Sequence, residues 1–147
     1  MLGESESARY ARQLKIRGFG PEGQLRLKGS RVVVAGVGGL GCYSSLSLAS
    51  AGVGHLTLID DGVVEMSNLN RQVLHWEADL GRPKVHSASE KLSRMNSNVK
   101  VEAVVAELTH ENIDRILGEA DALIDALDNF PDRLLINEFA VSRRIPL

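Results

Sequence analysis

At 147 residues the chain has room for one ordinary globular domain or for half of a larger one, which excludes a multidomain enzyme within this stretch. Seventeen basic side chains against 19 acidic ones leave a formal charge of −2, so no overall field exists to hold nucleic acid or an anionic membrane, and any grip on an anion has to be local. Hydrophobic residues at 44% and charged residues at 24% are the proportions of a folded domain, and the single Cys42 can neither close an internal disulfide nor build a tetrahedral thiolate zinc site. The polar stretch Met1 to Tyr10 is no secretory leader, and no apolar run approaches the roughly 20 residues that span a bilayer. The cytoplasm is the expected compartment, with neither DNA nor membrane as a partner.

In chain order, Glu4 to Ile16 is expected to form a short helix and Arg17 to Gly29, rich in glycine, a loop or broken helix. Residues 1–29 therefore read as a helical arm and residues 30–147 as an α/β body. The β-branched run Val32 to Ala35 predicts a strand buried on both faces. A glycine turn follows it, and the apolar spacing from Leu40 to Ala51 predicts a helix that Gly52 stops. His55 to Ile59 reads as a second strand, Pro83 to Met95 as a helix begun by proline, and Val99 to Val105 as a third strand. A helix from Thr109 to Leu117 capped by Thr109, a fourth strand over Ala122 to Leu127, and a helix from Phe130 or Pro131 to about Arg144 complete the series. Strands alternating with helices imply a doubly wound, mostly parallel α/β sheet, and Ile145 to Leu147 read as the entrance to a fifth strand. The chain is thus expected to hold only the N-terminal half of such a sheet.

Three groups of residues carry chemistry. Gly36-Val37-Gly38-Gly39-Leu40-Gly41 lies between a strand and a helix, where glycines let backbone N–H groups approach phosphate, although a tight turn alone would explain the same residues. Asp60, at the end of the next strand, suits ribose hydroxyls. Asn68, Arg71 and Gln72 in SNLNRQ, with Lys84 in GRPK, would neutralise a triphosphate, a clamp that a nicotinamide cofactor does not need; as surface charges the two cations would do nothing of the kind. Asp128, just after the fourth strand, is placed either to hold Mg²⁺ beside the phosphates or, with Asn129, to cap the last helix. Arg9 and Arg12 share a face if the arm is one helix. Cys42 reads as a small packed residue, and His55, His75, His86 and His110 lack metal spacing.

The segments RYARQ (9–13), GVGGLG (36–41), LASAGVGHLTLID (48–60), SNLNRQ (67–72), GRPK (81–84) and DALDN (125–129) together resemble the N-terminal half of the ubiquitin-activating-enzyme-like adenylyltransferases, the ThiF/MoeB/HesA group. The resemblance implies a Rossmann-like fold and transfer of AMP from ATP to the C-terminal glycine carboxylate of a small ubiquitin-like sulfur-carrier protein ending in Gly-Gly. It implies that Asp60 holds the ribose and that Gly38, Gly39 and Gly41 line the phosphate loop. Asn68, Arg71, Gln72 and Lys84 would contact the nucleotide, Asp128 would bind Mg²⁺, and Arg12 would reach across a homodimer. Where the group often carries a second acid, this chain has Gly62. Zinc, if present, is expected in the C-terminal half. A tRNA threonylcarbamoyladenosine dehydratase-like enzyme, a nicotinamide-dependent reductase and a noncatalytic nucleotide-binding subunit are the alternative readings.

Overall fold

The computed structural model describes residues 1–147. Its centre is a four-stranded parallel sheet of β1 (Arg31–Ala35), β2 (His55–Ile59), β3 (Lys100–Val104) and β4 (Ala122–Asp125), in the order β3-β2-β1-β4. The period-2 geometry of β1 sends Val32 and Val34 to one face and Val33 and Ala35 to the other, which is why an unbroken apolar run is needed there. On the first face these valines join Leu56 and Leu58 of β2 under α3 (Gly39–Ala51) and α4 (Lys84–Met95). On the second they join Leu123 under α5 (Ile113–Leu117) and α6 (Phe130–Arg143). Each fully buried Val or Leu of these two layers contributes about 1.5–3 kcal/mol relative to exposure, so β1, covered twice, anchors the sheet.

The connection from β3 to β4 crosses behind β2 and β1, so the order of strands reverses between β1 and β4. In open parallel sheets that reversal opens a crevice at the carboxyl ends of the strands. Past β4 the chain returns, and the Leu123 N–H donates to the Pro146 carbonyl at 2.9 Å, but residues 145–147 form no strand.

Four local expectations are corrected. The first helix is α1 (Glu4–Arg9) only; a turn and a short 3-10 segment, Gln13–Lys15, follow, so Arg9 and Arg12 do not share a helical face. The segment expected as a loop or broken helix holds a regular helix, α2 (Gly20–Gly29), started by Pro21 at its first turn. Its glycines are tolerated because tertiary contacts hold it: Gln24 is fully buried and donates to the Ala51 carbonyl, and the Gly54 N–H donates to the Leu27 carbonyl. Helix α5 begins at Ile113 rather than Thr109, because Asn112 accepts from the Thr109 N–H and closes a turn first. Pro83 stands just before α4 rather than as its first residue, and its neighbour Val63 forms an isolated bridge with it.

Residues 1–29 lie against the α3–α4 layer. The buried Tyr10 hydroxyl accepts from Asn96 Nδ2 at 2.9 Å, and Asn96 also donates to the Ala49 carbonyl at 2.8 Å. Gly52, with φ +87°, ends α3 in the left-handed conformation beneath the Tyr10 ring.

Candidate active site

The crevice at the strand ends is a cavity of about 500 Å³. Gly36, Gly38 and Gly39 line it from the β1 turn, Asp60 from the end of β2, Arg71 and Gln72 from the β2–α4 connection, Lys84 from the start of α4, and Asp128 from the end of β4. Residues separated by up to 92 positions in sequence thus meet at one site because four parallel strands deliver their carboxyl ends together.

The glycines divide the labour. A Cβ at Gly41 would run into the Gly36 carbonyl, and one at Gly36, which also has φ +90°, would sit 2.5 Å from the Ala126 carbonyl oxygen. Both therefore let α3 and β4 close on the β1 turn, and Gly41 itself is buried and does not line the cavity. A Cβ at Gly38 would meet nothing closer than Gln72 Nε2 at 3.8 Å, and one at Gly39 nothing closer than the Arg71 methylenes at 3.7 Å, so their backbones are open toward the cavity. The N–H groups of Gly38, Gly39, Leu40 and Gly41 have no partner within the chain. Of these, Gly38, Gly39 and Leu40 line the cavity at the positive end of a 13-residue helix, an arrangement that can attract an anion.

Asp60 is fixed at both oxygens: Oδ2 accepts from the Val37 N–H and Oδ1 from the Gly62 N–H, each at 2.8 Å. Lys84 Nζ lies 4.0 Å from Oδ1, close enough for charge compensation while leaving the ammonium free to turn toward a ligand. A Cβ at Gly62 would stand 3.0 Å from Oδ1 and 3.2 Å from Lys84 Nζ, so the absence of a second acid here keeps this pair uncrowded. Arg71 is exposed, its guanidinium held by the Ser67 carbonyl at 2.9 Å and by Asn70 Oδ1 at 3.0 Å. Gln72 is buried, yet its Oε1 has no hydrogen-bond partner. A buried orphan acceptor on a cavity wall signals a missing donor.

Three sequence-proposed residues lie elsewhere. Asn68 is buried outside the cavity; its Oδ1 accepts from the Glu65 N–H at 3.0 Å, and its carbonyl accepts the N–H groups of Arg71 and Gln72. It shapes the turn that presents those two residues. Gly41 serves the packing just described. Arg12 is exposed on the first 30 residues and does not line this chain's own cavity. Asp128 is exposed at the mouth without an intrachain partner, whereas Asn129 Oδ1 accepts from the Asp132 N–H and caps α6. Asp125 is tied to Arg133 at 2.8 Å. No three carboxylate, imidazole or thiolate side chains converge to hold a metal unaided. A magnesium ion at Asp128 would have to complete its shell with phosphate oxygens and water.

One buried polar chain behind the site gave no sequence signal. His75 bridges the Val37 carbonyl, 3.0 Å from Nε2, and Ser87 Oγ, 3.0 Å from Nδ1. Lys91 donates to Ser87 Oγ and pairs with Asp79, which also accepts from Arg82 and from the Trp76 N–H. Burial and the nearby Lys84 and Lys91 charges lower the His75 pKa, so the ring is neutral near pH 7. Burial also raises the Cys42 thiol, which is fully enclosed and unsuited to nucleophilic work.

A parallel α/β sheet with a glycine turn, an acid and two cations at its switch point is a Rossmann-like domain. The ThiF family profile matches residues 10–147, and the chain belongs to that family. It is 44% identical over 146 residues to the molybdopterin-synthase adenylyltransferase of Escherichia coli and 44% identical to the SAMP-activating enzyme E1 of Haloferax volcanii. Both alignments cover 99% of this chain, but it spans only 59% and 54% of those proteins. Among solved structures, E. coli tRNA N6-threonylcarbamoyladenosine dehydratase in complex with ATP superposes over the whole chain and 60% of its own, with TM-score 0.91 and 26% identity.

Proposed function

We propose that this chain is the ATP-binding portion of an adenylyltransferase that activates the C-terminal glycine carboxylate of a small ubiquitin-like sulfur carrier as an acyl adenylate, releasing pyrophosphate. The observation that carries the reading is the convergence of Gly38, Gly39, Asp60, Arg71, Gln72, Lys84 and Asp128 on one cavity. The unsatisfied glycine-turn N–H groups fit the phosphates of a nucleotide, the orphan Gln72 Oε1 calls for a donor such as a hydroxyl or amino group, and a nicotinamide reductase would have no use for Arg71 and Lys84 beside them. In this reading Asp60 accepts from the ribose, the glycine turn and Arg71 hold the phosphates, and Lys84 neutralises charge that grows as the carboxylate oxygen attacks the α-phosphorus and the bond to pyrophosphate breaks. Magnesium, held by Asp128 and the phosphates, would supply further charge neutralisation. The residues position and neutralise; a general base is unnecessary, because the attacking carboxylate is already ionised.

The choice of a protein carrier rests on the 44% identity to a molybdopterin-synthase adenylyltransferase and to a SAMP-activating enzyme E1. The ATP-bound dehydratase keeps a tRNA-linked carboxylate as the second reading. ATP–pyrophosphate exchange by the full-length protein separates them. Exchange that requires a carrier with a Gly-Gly terminus supports the first; exchange that requires the modified tRNA instead supports the second; no exchange with either, magnesium being present, removes both.

A further inference from the structure

We propose that His75 is a positioning residue for phosphate binding: by holding the Val37 carbonyl it aims the Gly38 N–H at the nucleotide. The inference rests on the nucleotide-binding reading and deepens it.

Val37 is fully buried, and both of its backbone polar groups are committed. Its N–H donates to Asp60, and its carbonyl accepts from His75 at 3.0 Å and, more weakly, from the Cys42 thiol at 3.5 Å. A carbonyl oxygen can only accept, so Nε2 of the neutral ring carries the proton and Nδ1 has to accept from the Ser87 hydroxyl. Lys91 in turn donates to that hydroxyl at 3.0 Å. The series Lys91, Ser87, His75 therefore leads to the Val37 oxygen, with the Ser87 proton shared between His75 Nδ1 at 3.0 Å and the Leu74 carbonyl at 3.2 Å. The Val37–Gly38 peptide is trans and planar, so its N–H points opposite to the carbonyl, away from His75. Gly38 lines the cavity, and its N–H has no partner within the chain.

The same bonds fix the orientation of a peptide that glycine would otherwise leave free to rotate. Gly38 has no Cβ to restrict it, and the unfilled space around it permits a flip of the adjoining peptide. A flipped peptide would turn a carbonyl oxygen toward phosphate. His75 prevents this from the buried side, 38 residues beyond Val37 in the chain.

The test uses ¹⁵N-labelled protein and calorimetry with ATP, pyrophosphate and adenosine. In the wild type, pyrophosphate and ATP should shift the Gly38 amide resonance and adenosine should leave it within a line width. His75→Leu should weaken ATP and pyrophosphate about tenfold, the value of one hydrogen bond to a charged group, with adenosine affinity changed less than twofold. His75→Gln, which restores an N–H donor, should recover most of the loss. Ser87→Ala, a smaller change that keeps the imidazole, should act in the same direction and covers the case in which His75→Leu does not fold. An unshifted Gly38 amide, or variants that lose adenosine and ATP equally, would overturn the positioning role while leaving nucleotide binding intact. No ATP binding by the wild type would instead remove the nucleotide reading, and this inference with it.

Discussion

Arg71 and Lys84 both face the cavity, but their surroundings assign them different work. The Arg71 guanidinium is already oriented by the Ser67 carbonyl and Asn70, and its stem lies on Gly39. A planar donor set in that pose matches a phosphate, and a lysine ammonium does not reproduce it. Arg71→Lys is therefore expected to weaken ATP nearly as much as Arg71→Ala, about tenfold or more, with adenosine unaffected; titration calorimetry reads both. Asp79 poses a second question at this scale. Burial alone would raise its pKa, yet hydrogen bonds from Lys91 and the Trp76 N–H outweigh it and lower the carboxyl from 3.8 to about 2. A depressed native pKa adds stability that is present above the unfolded value and lost as pH falls. Asp79→Ala should cost about 3 kcal/mol near neutral pH, since it leaves the largely buried Lys91 without its charge partner. The gap between variant and wild type should close between pH 4 and pH 2 in urea denaturation followed by circular dichroism; a constant gap across that window would contradict the assignment.

Helix α3 joins packing to ligand binding through two glycines three residues apart. Gly41→Ala drives a methyl group into the Gly36 carbonyl and must separate α3 from β1, at a cost of about 1–3 kcal/mol. The melting temperature should fall by roughly 3–9 °C for a chain of this size. Gly38→Ala meets nothing closer than 3.8 Å and has an extended backbone that alanine adopts, so the fold should hold while ATP binding weakens. Thermal melts beside nucleotide titrations of the two variants separate the roles; equal melting temperatures would refute the packing argument. The sequence motif could not make this distinction, because glycine is the same letter whether it faces a ligand or a neighbouring backbone. Element type was readable where periodicity was strong, as in β1 and α3. It was weakest over residues 17–29, where glycine content predicted a loop or broken helix and burial of Gln24 against the α3 terminus stabilised a regular one. Tertiary contacts of that kind leave no local trace.

At the scale of the whole molecule, the site's membership was legible because each part belongs to a separate motif at a strand end, and the strand order then brings the parts together. The His75–Ser87–Lys91 series was not, since three scattered residues become a unit only when α4 packs behind the β1 turn. Arg12 remains outside its own cavity, exposed on a segment that Tyr10 anchors to the body. A fixed anchor with an exposed guanidinium suits delivery to a second protomer, and we propose the homodimer on that basis together with the family resemblance. Under two-fold symmetry each site would combine one protomer's Lys84 with the other's Arg12. Arg12→Ala and Lys84→Ala should each abolish exchange by the full-length enzyme when assayed alone. Mixed and allowed to re-associate, half of the dimers are heterodimers, and each of these holds one site with both native residues, so about one quarter of the wild-type exchange rate should return. Two sites built entirely within their own protomers would return none.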